Sequence, residues 1–78
     1  MKNYLMSSLI PFINEDEIIY YAKLTEEVLS RLFSLAPFVE PTQLRRLSKL
    51  EINDLEKLSK LLANMNFDEV QELFRINE

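Results

Sequence analysis

Glycine does not occur anywhere in this chain of 78 residues. An average sequence of that length has about five glycines, and glycine is the residue that adopts positive backbone φ angles without a steric penalty. Tight β-hairpins depend on turns of that kind. A β-sheet fold would therefore lack its usual connections, and the missing residue type favours an all-α fold.

The length allows one domain, because a single hydrophobic core is typically built from about 50–200 residues. Hydrophobic residues make up 47% of the chain and charged residues 28%, close to the averages of globular proteins. We therefore expect residues 1–78 to form a single helical domain. So small a domain is only modestly stable without disulfides or a metal, and self-association is an alternative source of stability.

Three asparagines share a pattern that is typical of helix starts. Asn14, Asn53 and Asn66 are each followed, three residues later, by a glutamate. In this arrangement the asparagine oxygen accepts a backbone N–H of the first turn, and the glutamate reaches back to the asparagine N–H. We predict that a helix begins at each of the three, and that replacing any one with alanine costs about 0.5–2 kcal/mol.

The first half of the chain predicts one long helix over residues 15–35, because apolar residues recur there at roughly helical spacing. Thr25, which two glutamates follow, could instead begin a second helix, so a break near residues 24–25 is the alternative. Pro37 and Pro41 then enclose a linker, since proline cannot continue a helix and pushes the preceding residue out of the helical region.

Leucine spacing predicts three shorter helices after Pro41: one through Leu44 and Leu47, one over 54–63 and one over 67–75. Asn64 is expected to end the second of them in the left-handed conformation. A short leading helix over residues 2–10, stopped by Pro11, would complete an all-α bundle of four to five helices. We place three phenylalanines on its apolar stripes, and hence in its core: Phe33, Phe67 and Phe74.

Histidine and cysteine are both absent. This excludes disulfides and thiolate nucleophiles, and it removes the commonest general base together with the best transition-metal ligands. Acidic side chains remain at residues 15–17 and 26–27, but consecutive helical residues point about 100° apart and do not converge on one ion. We therefore expect no catalytic residue, no metal site and no cofactor.

The net charge is −4, and most of the acidic excess lies in residues 1–40. Such a chain repels nucleic acid and anionic membrane and suits a partner with a basic surface. The longest apolar run, residues 18–22, is far too short to span a membrane. The beginning of the chain lacks the cleavage site of a secretory signal. Cytoplasmic location is thus expected.

The apolar run at residues 18–22 makes its helix hydrophobic on nearly every side. A helix of this kind is either deeply buried or covered by another chain, and tyrosine is enriched at interfaces. We therefore predict a non-catalytic adaptor, regulator or inhibitor that works as an oligomer or in complex with another protein. The surface over residues 12–24 would make the contact, through Phe12, Ile19, Tyr20 and Lys23.

The alternative function is nucleic-acid binding by a segment over residues 42–62 that resembles a helix-turn-helix in layout. Its basic residues would be Arg45, Arg46, Lys49, Lys57 and Lys60. The residues that should face base edges at the start of the recognition helix are Asp54 and Glu56, which phosphates would repel, and this makes the alternative the weaker one.

Residues 44–74 carry short leucine-rich helices that end in a pattern of phenylalanine, acids, valine and leucine. In this spacing the segment resembles the small helical tail domain, of unknown function, on Rpn-type nuclease-like proteins of cyanobacteria. The resemblance covers about 40% of the chain and does not extend to the catalytic part of such proteins. It implies no activity and is compatible with an interaction role.

Overall fold

The computed structural model of the protein describes residues 2–76, and in that part of the chain it contains six α-helices and no strand. An all-α fold is thus confirmed, while the expected count of four to five helices is too low. Three short 3-10 turns, at Ile10–Phe12, Glu15–Glu17 and Ala36–Phe38, connect helices. The helices are α1 (Lys2–Leu9), α2 (Ile18–Ala22), α3 (Glu26–Leu35), α4 (Pro41–Leu47), α5 (Ile52–Leu62) and α6 (Phe67–Ile76).

The predicted long helix over residues 15–35 is wrong, and the alternative break near Thr25 is confirmed. Thr25 has an extended backbone (φ −71°, ψ 158°), and its side-chain oxygen accepts the backbone N–H of Val28 at 3.3 Å. A threonine that captures an amide three residues ahead favours the start of a helix over its continuation. This break separates α2 from α3 and leaves α2 as a short helix of its own.

The three asparagines behave differently from one another. Asn66 is a helix start as predicted: its side-chain oxygen accepts the Glu69 N–H at 2.9 Å, and Glu69 accepts the Asn66 N–H at 3.0 Å. Asn14 precedes a 3-10 turn but makes no capping hydrogen bond with its side chain. For Asn53 the prediction is wrong, because α5 already begins at Ile52 and its extended N-cap residue is Glu51.

No described residue has a positive φ angle. The prediction that Asn64 ends α5 in the left-handed conformation is therefore wrong. Helices α3, α4 and α5 are each preceded by a residue in the extended region, such as Glu40 before α4 (ψ 161°). Pro41 occupies the first position of α4 as expected, and Pro11 lies in the 3-10 turn that follows α1.

Helix α3 lies at the centre of the molecule and packs against α1, α4 and α5. The radius of gyration, 12.0 Å, is close to the roughly 11.5 Å expected for a compact chain of this length. Of the phenylalanines predicted to be core, Phe33 is 37% exposed and Phe67 is also exposed, so both predictions are wrong; Phe74 is half-buried against the core. The core is mostly leucine, and its fully buried members include Leu9, Tyr21, Leu29, Leu32, Leu44, Leu55, Leu62 and Val70.

Candidate protein-interaction site

Helix α2 presents one exposed face, which is formed by residues one helical turn apart. Ile19, Ala22 and Lys23 are spaced i, i+3 and i+4, and all three are exposed. Glu15 and Asp16, one turn earlier, are exposed as well. We call these five residues the α2 face. Within it Ile19 is 72% exposed. A large aliphatic side chain is therefore exposed to solvent, with two acidic residues before it in the sequence and a lysine after it.

The opposite side of α2 is anchored to the protein by two tyrosines. Tyr21 is fully buried, and its ring meets that of Tyr20 edge to face, with centroids 5.2 Å apart. The Tyr20 hydroxyl lies 2.7 Å from the hydroxyl of Ser48 at the end of α4. Because the Ser48 proton is already donated to the carbonyl of Arg45, Tyr20 acts as the donor to Ser48. These contacts hold α2 against α4.

Arg45 adds an ionic contact to the same junction. Its guanidinium carbon lies 3.6 Å from the centre of the Tyr20 ring, and one terminal nitrogen donates to the Glu17 carboxylate at 2.9 Å. The hydrogen bond with Glu17 raises the pKa of Arg45 further above its ordinary value. A cation held over an aromatic ring and paired with a carboxylate fixes both partners in place. The 3-10 turn before α2 is thereby fastened to α4.

Three polar atoms at this junction are buried and have no hydrogen-bond partner among the residues that the structure describes. They are the second carboxylate oxygen of Glu17, the Tyr21 hydroxyl and the Nε of Arg45. Burial, and secondarily the charge of Glu17, raises the pKa of Tyr21 to about 12. Tyr21 is thus a neutral phenol at physiological pH. The junction links α2 and the turn before it to α4.

The four residues that the sequence predicted as protein contacts lie in different environments. Ile19 and Lys23 are exposed on the α2 face. Tyr20 is half-buried and engaged by Ser48 and Arg45, and Phe12 is half-buried against the core. Sequence reasoning did not name Glu15 and Asp16 as contacts, although both are exposed in the 3-10 turn that leads directly into α2.

The basic residues predicted to bind nucleic acid also lie in different environments. Arg45 is committed to Glu17 and Tyr20, whereas the other four have exposed side chains. The first turn of α5, which would enter the groove of a nucleic acid, carries exposed Asp54. Glu56 of the same helix pairs with Arg31 of α3 at 2.7 Å. The four exposed basic residues are Arg46, Lys49, Lys57 and Lys60.

Acidic side chains do not gather into a metal site in the described part of the chain: no three of them lie close enough together to hold an ion. Likewise, none of the helices within residues 2–76 has the length and apolar character needed to cross a membrane.

Comparison of the chain with protein-family models, with curated proteins and with solved structures finds no match.

Proposed function

We propose that the protein is a non-catalytic interaction module, acting in the cytoplasm as an adaptor, regulator or inhibitor, and that the α2 face is the surface on which it binds another protein. The observation that carries the proposal is the position of Ile19. Its side chain is 72% exposed, although both tyrosines that follow it in the sequence are anchored in the protein. Held on a fixed helix, this aliphatic side chain is available to fill an apolar pocket on a partner, and its burial there would be favourable.

The chemistry of the α2 face indicates the character of the partner. Glu15 and Asp16 are exposed in the 3-10 turn directly before α2, and the exposed acids Glu26 and Glu27 follow at the start of α3. A partner that fits would offer an apolar pocket for Ile19 and basic side chains around it. Complementary charges at the rim of an interface speed association and exclude like-charged competitors.

Rigidity supports the same proposal. A segment that must be ordered on binding loses part of the interaction energy to conformational entropy. Helix α2 is already fixed by the Tyr20–Ser48 and Arg45–Glu17 contacts. Ile19 can therefore enter a pocket with little backbone ordering on its own side of the interface.

The test is to purify the tagged protein from cells that produce it naturally, to identify the protein bound to it, and to measure the dissociation constant of that pair. Ile19→Ser should weaken binding by about tenfold or more, because one buried aliphatic side chain is lost. Tyr4→Ser is the matched control, since Tyr4 is similarly exposed but lies on α1; it should leave binding unchanged. Asp16→Lys should weaken binding and reduce its dependence on salt.

Equal binding by Ile19→Ser and the unaltered protein would contradict the proposal. Recovery of nucleic acid instead of protein, lost on substitution of Lys57 and Lys60, would support the alternative function in its place.

A further inference from the structure

Helix α2 is held in place by side chains more than by any helix packed along it. Among the elements within residues 2–76, the only one in extensive contact with α2 is the 3-10 turn directly before it. A helix of five residues is not stable by itself in water. The position of α2 therefore depends on what its own side chains, and those of the preceding turn, meet on the rest of the protein.

Tyr21 is one anchor of α2, but its burial carries a cost. The side chain is fully buried, while its hydroxyl has no hydrogen-bond partner among the described residues. A hydroxyl that loses water without gaining a partner offsets part of what the burial of the ring contributes. The docking of α2 thus depends also on the polar contacts with α4.

Those polar contacts all involve Arg45. Its guanidinium donates to the Glu17 carboxylate at 2.9 Å, and the same group lies 3.6 Å from the centre of the Tyr20 ring. Its backbone carbonyl accepts the hydroxyl proton of Ser48, which leaves the Ser48 oxygen to accept from Tyr20. The Arg45 side chain thereby connects α4 both to α2 and to the turn before it.

The ion pair of Arg45 is more deeply placed than a second, similar pair in the molecule. The Glu17 side chain is 13% exposed, whereas Arg31 and Glu56 are 41% and 38% exposed. Exposed ion pairs contribute little to stability. Removing the partner of a largely buried carboxylate has a greater effect, because an unpaired charge then remains in the protein. Glu17 would regain solvation only by moving into water, together with the turn that carries it.

We infer that Arg45 is a positioning residue for the α2 face: its side chain keeps residues 15–22 docked on α4, and without it this segment leaves α4. Extended residues lie on both sides of the segment, at Asn14 (ψ 145°) and Thr25 (ψ 158°), where a change of backbone angle would release it as a unit. The importance of this docking for partner binding rests on the proposed function, whereas the docking itself is a property of the free protein. Arg45, predicted from the sequence as a nucleic-acid contact, thus receives a different role.

The first experiment measures amide hydrogen exchange by NMR in the free protein. The amides of Lys23 and Leu24 report on α2, because they donate to two of its carbonyls. Arg45→Gln should accelerate their exchange by about tenfold or more, while the second half of α3 keeps its protection. Arg45→Lys should retain most of the protection, since it keeps the positive charge. Arg31→Gln is the matched control, because it removes the more exposed ion pair, and it should leave α2 unchanged.

Unchanged exchange of Lys23 and Leu24 in Arg45→Gln would overturn the inference. Equal acceleration in α3 would overturn it as well, because Arg45 would then support the whole fold and not α2 in particular.

The second experiment follows the ionisation of Tyr21 by NMR of isotope-labelled tyrosine rings, and its outcome differs in sign between the two possibilities. The charge of Arg45 lowers the pKa of Tyr21, so its removal from a protein in which α2 stays docked would raise that pKa. Undocking instead exposes the hydroxyl to water and lowers the pKa from about 12 toward 10.0. We expect the pKa of Tyr21 to fall in Arg45→Gln. A rise, or no change, would show that α2 remains docked and would contradict the inference.

Binding to the protein recovered in the purification described above completes the test. Arg45→Gln should weaken that binding by about tenfold or more, and Arg45→Lys should restore most of it. The two proposals fail separately. If Ile19→Ser binds normally while Arg45→Gln releases α2, only the proposed function is wrong. If Ile19→Ser weakens binding while α2 stays docked in Arg45→Gln, only the role of Arg45 is wrong.

Discussion

Because of Tyr21, we expect the free energy of unfolding to fall as the pH rises above 10. Its hydroxyl is buried without a partner among the described residues, and its pKa is raised from 10.0 to about 12. In the unfolded chain the phenol releases its proton from about pH 10 upward, while the folded protein retains it. The free energy of unfolding is therefore unaffected by this group below pH 10. As the pH rises from 10 toward 12, the free energy of unfolding falls by up to about 1.4 kcal/mol per pH unit.

Tyr21→Phe isolates this effect, because phenylalanine keeps the ring and removes the titrating group. Urea unfolding should show a free energy of unfolding for the variant equal to or above that of the unaltered protein near pH 7, since the hydroxyl gains no hydrogen bond on folding. Between pH 10 and 12 the variant should lose less stability. Parallel pH profiles for the two proteins would show that Tyr21 does not titrate as described.

At the residue scale, the sequence led us to predict contacts through Ile19 and Lys23, both of which are exposed, but not the anchoring of α2 by Tyr20 and Arg45. Tyr20 meets Ser48, and Arg45 meets Glu17, across 28 residues in each case. Helical periodicity describes which side of a helix is apolar, and it carries no information about a polar partner so distant in the chain. Phe33 was misplaced for a related reason. It follows the fully buried Leu32 and points about 100° away from it.

At the scale of single elements, Asn66 and Asn53 have the same sequence pattern, but only Asn66 makes the capping hydrogen bonds. Asn66→Ala removes the acceptor of the Glu69 N–H and should cost about 0.5–2 kcal/mol. Asn53→Ala is the control, because Asn53 lies within α5. Alanine is the better helix former, so this change should be neutral or stabilising by up to about 0.7 kcal/mol. Thermal unfolding of both variants measures the difference, and equal losses would contradict the assignment.

The start of a helix was predictable from the sequence where a capping residue or a proline lies within its first turn. The first residue of α6 and the proline that opens α4 both follow from side-chain chemistry within one turn. The division at Thr25 was left open by the sequence, because the apolar spacing continues across it. Only the backbone geometry, with an extended Thr25, distinguishes two helices from one.

At the scale of the whole molecule, α3 and α6 should differ in local stability. Helix α3 contacts α1, α4 and α5, whereas α6 packs mainly on the Ala36–Phe38 turn. Besides buried Val70, α6 is held by a reciprocal amide pair in which Gln71 and Gln43 each donate to the other at 2.8 Å. Native-state hydrogen exchange should therefore show α6 opening below the global unfolding energy and α3 exchanging only with it.

Gln43→Leu should increase exchange in α6 without a comparable change in α3, because Gln71 then loses its partner. Uniform exchange rates across both helices would mean that the protein opens as one unit.

The extended residues before α3, α4 and α5 mark positions at which proline could make the unfolded chain stiffer. Proline accepts a preceding residue only in the extended region and lacks the N–H that a first helical residue leaves unused. Thr25, with ψ 158°, meets the first condition, and exposed Glu26 meets the second. Glu26→Pro should thus raise stability by about 0.4–1 kcal/mol by restricting the unfolded chain, whereas Ser30→Pro, in the middle of α3, should unfold the helix. Pro41 at the first position of α4, directly after extended Glu40, already shows this arrangement in the same chain.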